Sequence, residues 1–194
     1  IFDWDGMVET AQREGVSAIL YHSLREQRLE ALVPPDILAA LSQTYHTNLK
    51  RNLLTIRELR KVLNALRSAD IRCIVLKGIA LAEHVYPNIA LRGMSDVDLL
   101  IKKEDLLRVD TLLAVMGFLP RDGIAAQSLN HPAGYMSSLE YREDQSSPLN
   151  LHLHWHPVNT SVPATAFIRR IDLDRLWEKS ETVQIADSQA RMLS

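Results

Sequence analysis

The chain is nearly without cysteine. Its one thiol, Cys73, lies inside the apolar run "IRCIVLKG", which excludes an internal disulfide framework, suits a reducing compartment and marks the residue as core. Long hydrophobic runs are missing too. No stretch approaches the length of a bilayer span, and "IFDWDGMVET" has no basic segment followed by an apolar one, so no membrane segment or leader is expected and the predicted location is cytoplasmic. An excess of one charge is also lacking: a formal net charge of -2 over 194 residues gives no global signature of a nucleic-acid or membrane-surface binder. Repeats and low-complexity tracts are absent. The chain opens on Ile1 and stops on "RMLS" without a helix-ending or tail-like signal, so it is expected to be a fragment of a longer protein.

What is present divides into two patterns. The first third reads as helical: "DWDGMVETAQREG" and "VSAILYHSLREQRLEAL" are amphipathic segments separated by Gly15, and after "VPPD", with Asp36 as a candidate cap, apolar residues recur every three or four positions up to Leu66. The basic residues of that long helix, Lys50 to Arg67, read as a solvated face. From Ile71 the pattern becomes strand "IRCIVLKG", helix "IALAEHVYPN", strand "SDVDLLIKK", helix "EDLLRVDTLLAVMGF" closed by Gly117, then an antiparallel pair "SSLEYRED" and "PLNLHLHWH" across the turn "DQSSP". The final part, from "TAFIRRIDLDRLWEK" onward, reads as a helix-and-strand excursion over the surface. The expected architecture is α+β, with a helical subdomain over 1–69 and an α/β core over 70–194.

The chemistry concentrates in "LRGMSDVDLLI". Strand residues two apart share a face, so Asp96 and Asp98 are expected to project together while Val97, Leu99 and Ile101 face the core. Like charges so placed repel unless a cation sits between them, and a hard divalent ion such as Mg²⁺ takes oxygen ligands while keeping positions for phosphate and water. Upstream, "VLKGIALAEHVY" sets Gly78 between a strand and a helix, where backbone N–H groups receive phosphate, with Lys77 and Arg92 as nearby cations. A second Asp-x-Asp, Asp172 and Asp174, is flanked by Arg169, Arg170 and Arg175 and reads as helix capping or surface pairing.

The span "VLKGIALAEHVYPNIALRGMSDVDLLI" resembles the signature of the nucleotidyltransferase superfamily, whose fold is that of DNA polymerase beta, and in particular its poorly characterised bacterial branch. The leading helices, the long central helix and "LHLHWHP" are similar to that branch as well. The resemblance implies a mixed-sheet catalytic core that binds a nucleoside triphosphate and Mg²⁺, with Mn²⁺ as an alternative. It implies transfer of a nucleotidyl group to a hydroxyl on a small molecule, protein or nucleic acid. Asp96 and Asp98 would hold the metal, and Lys77, Gly78, Arg92 and Ser95 the nucleotide.

The sequence departs from the family pattern twice. Gly78 is followed by Ile79, not by Gly or Ser, and the third carboxylate is not evident. On "PLNLHLHWH", alternation puts His152, His154 and His156 on one face, with His152 at the acidic position and His154 at the family histidine. Either imidazole could act as base or third metal ligand. Glu140 and Glu143 are the alternative third acids. Two other readings stay open: a non-catalytic nucleotide-binding member of the same fold, and a hydrolase whose Zn²⁺ or Mn²⁺ is held by two histidines and an aspartate.

Overall fold

The computed structural model describes residues 2–121, 138–142, 148–157 and 170–193. Contacts divide the chain into two compact units, Ile1–Thr55 with Leu81–Met94, and Ile56–Ala80 with Ser95–Ser194.

The first unit is helical. Helix α1 (Trp4–Arg13) starts where the Asp3 carboxylate accepts the Gly6 N–H at 3.0 Å, a side-chain cap that satisfies a donor the helix cannot. Gly15, at φ 69°, separates it from α2 (Ser17–Glu26); a left-handed turn residue there carries no Cβ penalty. Helix α3 (Pro35–Ser68) begins with proline at its first position, which needs no N–H. Asp36 therefore sits within the first turn, where its charge complements the helix dipole, and not at the cap position. Val8, Tyr21, Leu24, Val33 and Leu41 form this unit's core, against which Trp4 packs. Within the same unit Asn52 of α3 donates to the carbonyls of Ile89 and Arg92 at 2.6 and 2.8 Å, holding the short 3-10 turn Ile89–Leu91.

Among the described residues the second unit is a seven-stranded mixed sheet with helices, the α+β architecture expected. Its strands are β1 (Cys73–Leu76), β2 (Val97–Ile101), β3 (Leu119–Pro120), β4 (Ser138–Arg142), β5 (Asn150–His154), β6 (Glu181–Ile185) and β7 (Ser188–Met192). Their order is β3-β4-β5-β2-β1-β7-β6. Helix α4 (Lys77–His84) follows β1 without a linker, α5 (Leu106–Val115) follows β2, and α6 (Leu173–Lys179) precedes the β6–β7 hairpin.

All four residues of β1 and all five of β2 are buried, as a strand covered on both faces requires. On one face Ile74, Leu76 and Leu100 pack against Leu176 and Trp177 of α6. Tyr141 of β4 is 1% exposed, and its hydroxyl donates to Asp110 of α5 at 2.6 Å. Burial and that carboxylate both push its phenol well above the usual range.

Three local expectations change. Strand β2 begins at Val97, so Asp96 stands just before it, exposed, while Asp98 lies within it, buried. The last segment is no surface excursion: β7 joins the sheet parallel to β1, with Ile74 opposite Arg191. Residues 119 and 120 add a strand that alternation could not show in so short a run. Asp172 accepts the Arg175 N–H at 3.0 Å as the cap of α6, as its flanking charges suggested. Arg169, Glu143 and most of the "DQSSP" turn lie outside the described residues. No helix among the described residues is long and apolar enough to cross a membrane.

Candidate active site

Strand register assembles the site within the second unit. Strands β2 and β5 are parallel neighbours with Asp98 opposite His152; β4 and β5 are antiparallel with Glu140 opposite His152; β1 and β2 are antiparallel with Leu76 opposite Asp98. Directly opposed residues share a face of a sheet. Glu140, His152 and Asp98 thus form a row across three strands, His154 lies two residues on from His152, and Lys77 begins one residue past the Leu76 position.

The side chains meet around one carboxylate. His154 Nε2 lies 2.7 Å from Asp98 Oδ1, His152 Nδ1 lies 3.6 Å from the same oxygen, and Lys77 Nζ lies 3.4 Å from Oδ2. Burial alone would raise the Asp98 carboxyl, but the His154 hydrogen bond and the Lys77 charge outweigh it and hold the group below the usual carboxylate range. Beyond His152 the row continues: its Nε2 is 3.5 Å from Glu140 Oε1, and Glu140 Oε2 accepts from Arg121 Nη1 at 2.7 Å. That hydrogen bond, opposed by partial burial and aided by the charge of His152, draws the Glu140 carboxyl down as well. Basic and acidic groups alternate along Arg121, Glu140, His152, Asp98 and Lys77, so each carboxylate has a cation beside it, Arg121 for Glu140 and Lys77 for Asp98.

Among the described residues, Asp98, His152 and His154 form a group whose ligand atoms all lie within 4.8 Å of one another. Two histidines and an aspartate thus come together, with the two imidazole centroids 4.9 Å apart. His156 lies past the end of β5 and is not a member. Asp96 is not a member either. Its Oδ1 accepts from Ser95 Oγ at 2.9 Å. It lines a polar cavity of about 200 Å³ together with Ser95, Arg121, Glu140, Asn150, Leu151 and His152. Asn150 Nδ2 donates to the Ser95 carbonyl at 2.9 Å, tying β5 to the residue before the acidic doublet.

Lys77 adopts φ 47°, a left-handed conformation uncommon for a residue with a Cβ. It is the single residue on which β1 turns directly into α4, and Gly78 follows in the first helical turn, where N–H groups have no partner inside the helix. Arg92 belongs to the first unit. The residues that sequence alone did not single out are Arg121 and Asn150. Nothing local marks Arg121, because β3–β4 pairing is what sets it beside Glu140. A second cavity, of about 210 Å³, is lined by Arg67, Cys73 and Arg191 among others. Burial pushes the Cys73 thiol up to about 12, which removes it as a nucleophile.

A family model described as an uncharacterised nucleotidyltransferase matches residues 2–194 of this chain. No curated protein and no solved structure matches it.

Proposed function

The chain belongs to that uncharacterised nucleotidyltransferase family, and we propose that it moves a nucleotidyl group from a nucleoside triphosphate to an acceptor hydroxyl with the help of a divalent cation. The observation that carries this reading is the β2–β5 register, which sets Asp98 against His152 and His154 while Lys77 reaches the same carboxylate from β1.

The donors available to a cation at these strand ends are the Asp98 and Asp96 carboxylates and the imidazoles of His152 and His154. A cation held there would neutralise charge on the phosphates and favour departure of pyrophosphate. Lys77, the Gly78 N–H and the Ser95 hydroxyl bind the triphosphate and align its α-phosphorus for in-line attack. The cavity beside them takes the acceptor. Of the two roles open to His152, its place next to Asp98 and His154 favours that of ligand. Glu140 then faces the acceptor and accepts the hydroxyl proton as the new oxygen–phosphorus bond forms and the bond to pyrophosphate breaks. Arg121 keeps that carboxylate ionised and fixed.

Calorimetric titration with ATP, GTP, CTP and UTP in Mg²⁺ and in Mn²⁺ identifies the nucleotide. Transfer of α-labelled nucleotide to fractionated small molecules, proteins and RNA identifies the acceptor. Asp96→Asn with Asp98→Asn should abolish transfer while circular dichroism stays native; unchanged transfer would remove the mechanism. The imidazole at the family's acidic position favours a second reading, a nucleotide-binding member without turnover. In that case nucleotide binds and no labelled product forms.

A further inference from the structure

We infer that Asp98, His152 and His154 form a site for a nitrogen-accepting first-row divalent ion of the Zn²⁺ type, in preference to Mg²⁺. The inference rests on the proposed function for the use made of the ion, and on the strand geometry for the ion's class.

The donor set decides the class. Magnesium demands near-octahedral oxygen ligation and dehydrates reluctantly, whereas imidazole nitrogen suits the later first-row ions. This group offers one carboxylate and two imidazoles. Ligand separations are of the right order. Four donors at about 2.1 Å from a tetrahedral ion stand about 3.4 Å apart; Asp98 Oδ1 has His154 Nε2 at 2.7 Å and His152 Nδ1 at 3.6 Å, and the whole group lies within 4.8 Å. Seating an ion requires the His154–Asp98 hydrogen bond to open and the two imidazoles to turn toward a common point.

A second, independent feature lies one step out. Histidines that hold a metal through one nitrogen commonly present the other to a carboxylate, which fixes the ring and strengthens the donor. Glu140 is placed for this beside His152: with Nδ1 toward Asp98, the His152 Nε2 lies 3.5 Å from Glu140 Oε1, and Glu140 is held in turn by Arg121 at 2.7 Å. A surface cluster meeting by chance would not need that support. The parallel β2–β5 register, with Asp98 opposite His152 and Leu100 opposite His154, fixes both imidazoles on backbone that is part of a continuous sheet, so the site is built on rigid elements.

Metal-free protein titrated with Zn²⁺, Co²⁺, Mn²⁺ and Mg²⁺ should bind one ion, with Zn²⁺ at least tenfold tighter than Mg²⁺, and Co²⁺ should give the visible absorption of a nitrogen-ligated centre. His152→Asp converts the set toward oxygen and should narrow the Zn²⁺ to Mg²⁺ ratio at least fivefold. His154→Ala should remove the Co²⁺ band; because His154 is buried, His152→Ala serves the same purpose should that variant fail to fold. Mg²⁺ binding as tightly as Zn²⁺, or a Co²⁺ band that survives loss of either imidazole, would overturn the inference. The two proposals fail separately: absent transfer with this metal profile intact removes the reaction alone, and transfer with no metal preference removes the ion class alone.

Discussion

Lys77 offers a test in which backbone and side chain can be separated. Its φ of 47° places an L-residue in the left-handed region, at a cost of roughly 1–2 kcal/mol. Glycine carries no such cost but loses about 0.5–1 kcal/mol more chain entropy on folding than alanine. Lys77→Gly and Lys77→Ala both delete the ammonium 3.4 Å from Asp98, so that loss cancels between them. The difference left is the backbone: Lys77→Gly should be more stable than Lys77→Ala by up to about 1.5 kcal/mol, or up to about 6 °C in thermal midpoint for a domain of this size. Function should move the other way. Both variants are expected to lose about tenfold or more in nucleotide affinity, measured calorimetrically, because the cation beside the triphosphate is gone. A glycine variant no more stable than the alanine variant would refute the strain argument. Undiminished affinity would refute the role given to the side chain, and a stabilised but inactive glycine variant is the signature of strain retained at a working site.

Other expectations follow from packing and charge. Tyr141→Phe removes the hydroxyl that Asp110 accepts at 2.6 Å and should lower stability by about 1 kcal/mol in denaturant unfolding; an unchanged midpoint would mean the bond contributes nothing. Leu99→Ala, in a strand residue with no exposed surface, should cost about 2–5 kcal/mol and broaden or abolish the cooperative transition. The Glu58 carboxyl is drawn below its ordinary value of 4.5 by the Lys61 hydrogen bond, against the upward push of burial and with help from Arg57. A depressed carboxyl stabilises the fold above its ordinary range, and that contribution disappears as pH falls through the folded value. Since both cations are more than half exposed, Glu58→Gln should cost only about 0.5–1.5 kcal/mol at neutral pH. It should cost nothing in strong acid; a penalty independent of pH would contradict this account. Asp96→Asn, at an exposed position before β2, should change stability by less than about 0.5 kcal/mol while weakening nucleotide binding.

Much of the sheet's interior was legible because its signals are local. Alternation in "PLNLHLHWH" put Leu151 and Leu153 inside, where both are buried, and Gly117, at φ 90°, ends α5 as its position suggested. The family resemblance is upheld over nearly the whole chain. What sequence could not give was pairing between distant segments. Asp96 and Asp98 share a period-two pattern, yet β2 starts between them, because only pairing with β1 and β5 decides where a ladder begins. Arg121 reached the site by the same non-local route. Glu140 was visible as an acid but not as the partner of His152, which required the β4–β5 register.

The β6–β7 hairpin matters for the history of the molecule during synthesis. Strand β1 emerges from the ribosome long before β7, the partner on its other side, so until the hairpin arrives "CIVL" presents an uncharged, β-prone flank able to pair with a neighbouring chain. Shortened versions ending before Glu181 would keep that flank permanently open. They should form inclusion bodies in expression hosts even though every proposed catalytic side chain is still encoded.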